Sequence, residues 1–149
     1  MFKHILVPTD GSALSQAAVA QAVVLARHHG AQLTFVHALP ERPLSFFGGE
    51  GGMYVDQIEP NEFVAQATRL ADRVLGDAEA GARAAGVACQ GVARGGGAPY
   101  EVIIAEATAR GCDLILMASH GYTGVKGMVL GSETNKVLTH SKIPVLVYR

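Results

Sequence analysis

The chain has 149 residues, the size of one domain, and residues 1–149 are expected to form a single unit around its own core. Apolar residues make up 49% and charged residues 17%, which excludes a disordered chain; the formal net charge of −1 argues against a broad basic face for nucleic acid and against a polybasic membrane anchor. Glycine stands out, with 18 copies beside 6% aromatics and no tryptophan, a composition suited to close backbone approaches between elements or to a ligand.

No apolar run is long enough to cross a bilayer, and the opening MFKHILVPTDGS does not have the pattern of a secretory signal. Cys89 and Cys112 show no CxxC or His/Cys ligand spacing and read as buried small residues. A cytoplasmic setting is therefore expected.

In chain order, His4–Val7 is a short apolar run stopped by Pro8, the signature of a strand covered on both faces. Ser12 is placed to cap a helix running to about His29, with Leu14, Ala18, Val19, Ala22, Val23 and Ala26 on one face and Gly30 as its stop. Gln32–His37 is rich in β-formers and reads as the second strand. Residues 39–60 form a long connection with a glycine run at 48–52, a length usual for functional or mobile loops. A second helix is expected from about Asn61 to Ala85, with Phe63, Ala67, Leu70, Val74 and Leu75 inward; Gly76 and Gly81 weaken its middle.

Val87–Ala93 is a weak strand, and the glycines at 95–97 form a turn before it gives way to a third helix. Pro99 suits the first turn of that helix, which runs from Tyr100 to Arg110 and stops at Gly111. Leu114–Ala118 is a second strongly apolar strand, and Ser119–Gly131 a glycine-rich loop. Ser132 is expected to cap a fourth helix ending near Ser141, and Pro144–Tyr148 is the last strand. Strict alternation of strand and helix predicts a parallel sheet with helices on both faces, a Rossmann-like α/β fold. Ligands in such sheets bind at the carboxyl ends of strands where the winding direction reverses, which points to Pro8-Thr9-Asp10-Gly11 and Ser119-His120-Gly121.

The strongest chemical signal is Gly121-x-x-Gly124-x-x-Gly127-x-x-x-Gly131-Ser132, which leads into a helix. Glycines let backbone N–H groups approach an anion, and a helix N-terminus adds free donors and a partial positive charge, so the pattern suits phosphate. The alternative is a plain loop with a serine cap. No GKS or GKT and no GxGxxG occurs, which excludes the P-loop and the dinucleotide fingerprint. Asp10 is either a turn-forming cap or a carboxylate for ribose hydroxyls. A flavodoxin would carry a Ser/Thr-rich loop there, and a phospho-receiver an acidic pair. His120 borders the loop and is within reach of a phosphate, though a structural role or none is the readier reading. His37 is expected to pack, and His4, His28, His29 and His140 to lie at the surface or at helix ends. No Ser/His/Asp set or carboxylate pair is visible, and Lys126 is the lone lysine of the loop, so no catalytic apparatus is nominated.

The segments HILVPTDGS, LTFVHAL, DLILMASHG and LGSETNKVLTHSKIPVLVY resemble the universal stress protein family, in its ATP-binding branch, over essentially the whole chain. The family motif Gly-x2-Gly-x9-Gly-Ser/Thr is met by Gly121, nine residues, and Gly131-Ser132, with Ala118 in place of the first glycine. The resemblance implies a five-stranded sheet of order 3-2-1-4-5. It implies that Pro8, Thr9 and Asp10 line the adenosine side with Asp10 on the ribose, that His37 and Ala38 contact adenine through backbone, and that Met117 and Ala118 flank base and ribose. Gly121, Gly131, Ser132 and Glu133 would surround the phosphates, with Mg or Mn beside Glu133. It further implies a homodimer paired through the last strand, where Val145 and Val147 leave an apolar edge. The function so implied is an ATP-binding, nucleotide-dependent regulator or sensor in stress response. A slow ATPase or phosphotransferase, or a nucleotide-free interaction module, are the alternatives.

Overall fold

Strand and helix alternate from end to end: β1 (His4–Pro8), α1 (Ala13–His29), β2 (Gln32–Ala38), α2 (Pro60–Ala84), β3 (Cys89–Arg94), α3 (Pro99–Ala109), β4 (Leu114–Ala118), α4 (Ser132–His140) and β5 (Val145–Tyr148). The structure is a computed structural model that describes residues 1–41, 60–122, 124 and 130–149. The glycine run at 48–52, Lys126 and Gly127 lie outside the described residues. All strands run parallel in one sheet of order β3-β2-β1-β4-β5, as expected.

The period of two along the strands divides the core. Ile5, Val7, Leu33, Phe35, Leu114 and Leu116 face α1 and α2, while Leu6, Val36, Ile115 and Met117 face α3 and α4. Each fully buried side chain of this size contributes about 1.5–3 kcal/mol, which explains why β1, buried from His4 to Val7, and β4, buried throughout, hold the sheet's centre. On α1 the residues without any exposure are Ala18, Ala22 and Ala26, one per turn, and these small side chains let the helix lie close on the sheet. Ser12 caps α1 by accepting from the Ser15 amide at 3.3 Å, and Gly30 closes it in the left-handed region with φ 65°.

Three expectations are corrected. The inward face of α2 is Ala71, Val74, Leu75, Ala78 and Ala82, whereas Leu70 is 37% exposed. Gly76 and Gly81 are exposed and leave the helix unbroken over 25 residues, because the buried face more than offsets the roughly 1 kcal/mol each costs. His4 is buried rather than superficial, with its Nε2 2.8 Å from the Thr34 hydroxyl, which in turn accepts from Gln90 at 3.1 Å. Cys112 is buried as expected, but Cys89 only half so.

Candidate functional site

The β1–β4 ladder covers Ile5↔Leu114 and Leu6↔Ile115, whereas β1–β2 pairing runs on to Pro8↔Val36 and a further bond from the Thr9 amide to the Val36 carbonyl at 2.9 Å. Past Leu6, therefore, β1 stays with β2 and leaves β4. A cleft of about 260 Å³ opens where these two central strands part, at their carboxyl ends. Pro8, Thr9 and Asp10 of the first strand end border it, with His37 and Ala38 of β2, Met117 and Ala118 of β4, Gly121, and Glu133 of α4. Gly131 and Ser132 do not line it. Ser15, Val36, Pro99, Ile103, Tyr122 and Thr134 do, and sequence reasoning did not single them out; Pro99 and Ile103 arrive because α3 starts above the sheet's centre. His120 also borders the cleft, its Nδ1 3.3 Å from the Gly121 carbonyl.

Asp10 fills both roles open to it. Its Oδ1 accepts the Ser12 amide at 2.9 Å, a local turn, and its Oδ2 accepts the Tyr122 amide at 3.3 Å across the cleft. Burial pushes its pKa up, but hydrogen bonds from Ser12, Ser15 and Tyr122 outweigh that and hold the carboxyl below its ordinary value. Gly121 is required by this arrangement, since a Cβ there would overlap Asp10 Oδ2. Gly11 lies at φ +81°, and a Cβ there would sit 2.7 Å from Val74 of α2. His37 packs, its Nδ1 3.0 Å from the Thr9 carbonyl, and both His37 and Ala38 border the cleft.

The cap of α4 differs from expectation. The N-cap of α4 is Gly131, and Ser132 is the first helical residue, exposed and capping nothing. The Gly131 N–H donates to the Ser119 carbonyl at 2.6 Å, so this glycine serves close packing: a Cβ would lie 3.2 Å from that same oxygen. The first intrahelical bond runs from Asn135 N to Gly131 O, and among the described residues the amides of Ser132, Glu133 and Thr134 have no acceptor, so they form the open positive end of α4. Glu133 turns its carboxylate to α3, accepting the Tyr100 amide at 2.8 Å and Lys136 at 3.2 Å. Ala118 stands in extended strand with no strain, and among the described residues only glycines take positive φ.

The cleft thus sets a carboxylate at one strand end against a helix N-terminus at the other, a pattern that suits a ligand with vicinal hydroxyls and an anionic tail. Among the described residues, Asp10 and Glu133 are the two carboxylates bordering the cleft, each accepts two protein donors, and no group of three or more His, Cys, Asp or Glu is placed to hold a metal ion. A second, larger cavity of about 510 Å³ lies between α1 and α2, floored by Val19, Val23, Val74 and Ala78 and rimmed by Gln16, Arg73 and Asp77. It meets the cleft through Thr9 and Tyr122, which line both.

A model of the universal stress protein family matches residues 1–149. Universal stress protein YxiE of Bacillus subtilis is 32% identical over 149 residues, covering all of both chains. Among solved structures, that of MJ0577, a universal stress protein of Methanocaldococcus jannaschii, superposes with a TM-score of 0.80 at 27% identity, covering 99% of this chain and 96% of that one. A universal stress protein solved in complex with cAMP gives a TM-score of 0.71 at 26% identity, covering 99% of this chain and 97% of that one.

Proposed function

The chain belongs to the universal stress protein family, and we propose that it binds an adenine nucleotide, ATP foremost, in the cleft between the ends of β1 and β4. The observation that carries this reading is the pairing of Asp10 with the open N-terminus of α4 across one cleft. The ribose hydroxyls donate to Asp10, the base lies against the backbone of Ala38 and beside Met117 and Ala118, and the phosphates take the amides of Glu133 and Thr134 and extend past the cleft to that of Ser132. The relative bound to cAMP supports an adenine nucleotide in a cleft of this fold. Mg or Mn would enter on the phosphates of ATP, since the cleft's own carboxylates are engaged.

In this reading the chain is a nucleotide-dependent regulator or sensor, paired as a homodimer through β5. Support for the pairing is that β5 is an edge strand with Leu146 41% exposed between Val145 and Val147. Unpaired Cys89 and Cys112 fit the reducing cytoplasm, and no helix among the described residues is long and apolar enough to cross a membrane. Titration calorimetry with ATP and Mg²⁺ tests the proposal: saturable heat at one site per chain is expected, and no heat at millimolar ATP overturns it.

A further inference from the structure

Helical threonines in this protein follow one habit. Thr68, Thr108 and Thr139 each donate the side-chain hydroxyl to the carbonyl four residues back in their own helix, at 2.9, 2.8 and 2.8 Å. Thr134 departs from it. Its hydroxyl donates at 3.1 Å to the carbonyl of Ala118, sixteen residues earlier, at the last residue of β4. Thr134 is 3% exposed, borders the cleft, and is the one buried residue in the first turn of α4; the next, Val137, lies a turn further on. Besides this bond, the start of α4 is tied to the strand end by the Gly131 amide on the Ser119 carbonyl.

We propose that Thr134 is a positioning residue for phosphate: its hydroxyl fixes the first turn of α4 on the end of β4, so that the open amides of the helix face the cleft. The inference rests on the nucleotide reading above and adds a residue that acts through the helix. Hydrogen bonds from a helix terminus to an anion depend steeply on direction, so a helix free to tilt on Val137 loses phosphate affinity first. Base and ribose, held by β1, β2 and Asp10, do not depend on this anchor.

The test compares Thr134→Val, which keeps the shape and removes the hydroxyl, with Thr134→Ser, which keeps the hydroxyl. Each is titrated calorimetrically with Mg-ATP and with adenosine, which lacks phosphate. The expected result for Thr134→Val is a loss of about tenfold in ATP affinity with adenosine changed less than about twofold, the tenfold being one good hydrogen bond's worth of misdirection. Thr134→Ser is expected to bind both ligands within about threefold of the parent chain. Wild-type ATP affinity in Thr134→Val, or equal losses for ATP and adenosine, overturns the positioning role. Should Thr134→Val fail to fold, Thr134→Ser still decides, because a selective loss of ATP there contradicts a role carried by the hydroxyl. A parent chain that binds neither ligand overturns the nucleotide reading itself, and is distinguished from the other outcomes by its own titration.

Discussion

Replacing Asp10 by alanine removes two things at once, and their magnitudes separate. In the ligand-free protein the carboxylate accepts the amides of Ser12 and Tyr122. Losing these charge-assisted bonds, partly replaced by water, costs about 1–2 kcal/mol of stability, which lowers the melting temperature by about 3–6 °C in a chain of this length. In the proposed ATP complex the same carboxylate takes both ribose hydroxyls. At about 1.5 kcal/mol each, the lower end for bonds to a charged group, the pair is worth about 3 kcal/mol, or a loss of about 150-fold in ATP affinity. The assay is calorimetric titration of the parent chain and Asp10→Ala with ATP and with 2′-deoxy-ATP. The deoxy nucleotide offers Asp10 one hydroxyl, so its affinity is expected to fall only about tenfold on mutation. Equal losses for the two nucleotides would refute the ribose contact, and unchanged ATP binding would refute the site.

Gly121→Ala places a methyl where Asp10 Oδ2 lies, so it is expected to cut ATP affinity without altering the circular dichroism, and to add little on top of Asp10→Ala; full additivity between the two would contradict that geometry. Stability should fall with acid through His4. Burial lowers its pKa below 6.5, against the opposing pull of the Arg110 carbonyl and Asp113. Because the unfolded chain then takes up the proton first, the contribution is complete above pH 6.5 and is lost as pH falls through the lowered folded value. Thermal melts between pH 7.5 and 5 are expected to be steeper in pH for the parent chain than for His4→Gln, and identical slopes would remove His4 from the account. A charge on the apolar edge, Val147→Glu, is expected to yield a monomer by light scattering, and an unchanged dimer mass would place the interface elsewhere.

Strands β1 and β4 were legible because both are covered on two faces, so Ile5–Val7 and Leu114–Ala118 are apolar without interruption and end where the chain turns at Asp10 and Ser119. The phase of α2 was harder to read. Its apolar residues offer two overlapping stripes, and alanine carries the deciding positions, Ala71, Ala78 and Ala82, where a small side chain gives little hydrophobic signal but allows close packing. Leu70, more apolar, faces out. His4 was misjudged since burial of a polar ring depends on partners from β2 and β3 that meet only in the fold.

The same holds in the site. The strand ends and Gly121 follow from local pattern, but the bond that occupies the Gly131 amide, the turn of Glu133 toward α3, and the reach of Thr134 to Ala118 join positions far apart in sequence. Spacing alone could suggest that Gly131 and Ser132 hold phosphate. The Gly131 amide is occupied by the Ser119 carbonyl, so in the proposed reading phosphate falls to the amides of Ser132, Glu133 and Thr134.

The proposed function requires that ATP occupy the cleft at the strand ends rather than the larger cavity between α1 and α2. Amide chemical-shift mapping of the ¹⁵N-labelled protein during an ATP titration tests it most directly. The account predicts the largest shifts at Thr9, Asp10, Ala38, Ser132, Glu133 and Thr134, saturating together. Shifts concentrated on Gln16, Val23, Arg73 and Asp77, or none at millimolar ATP, would contradict it.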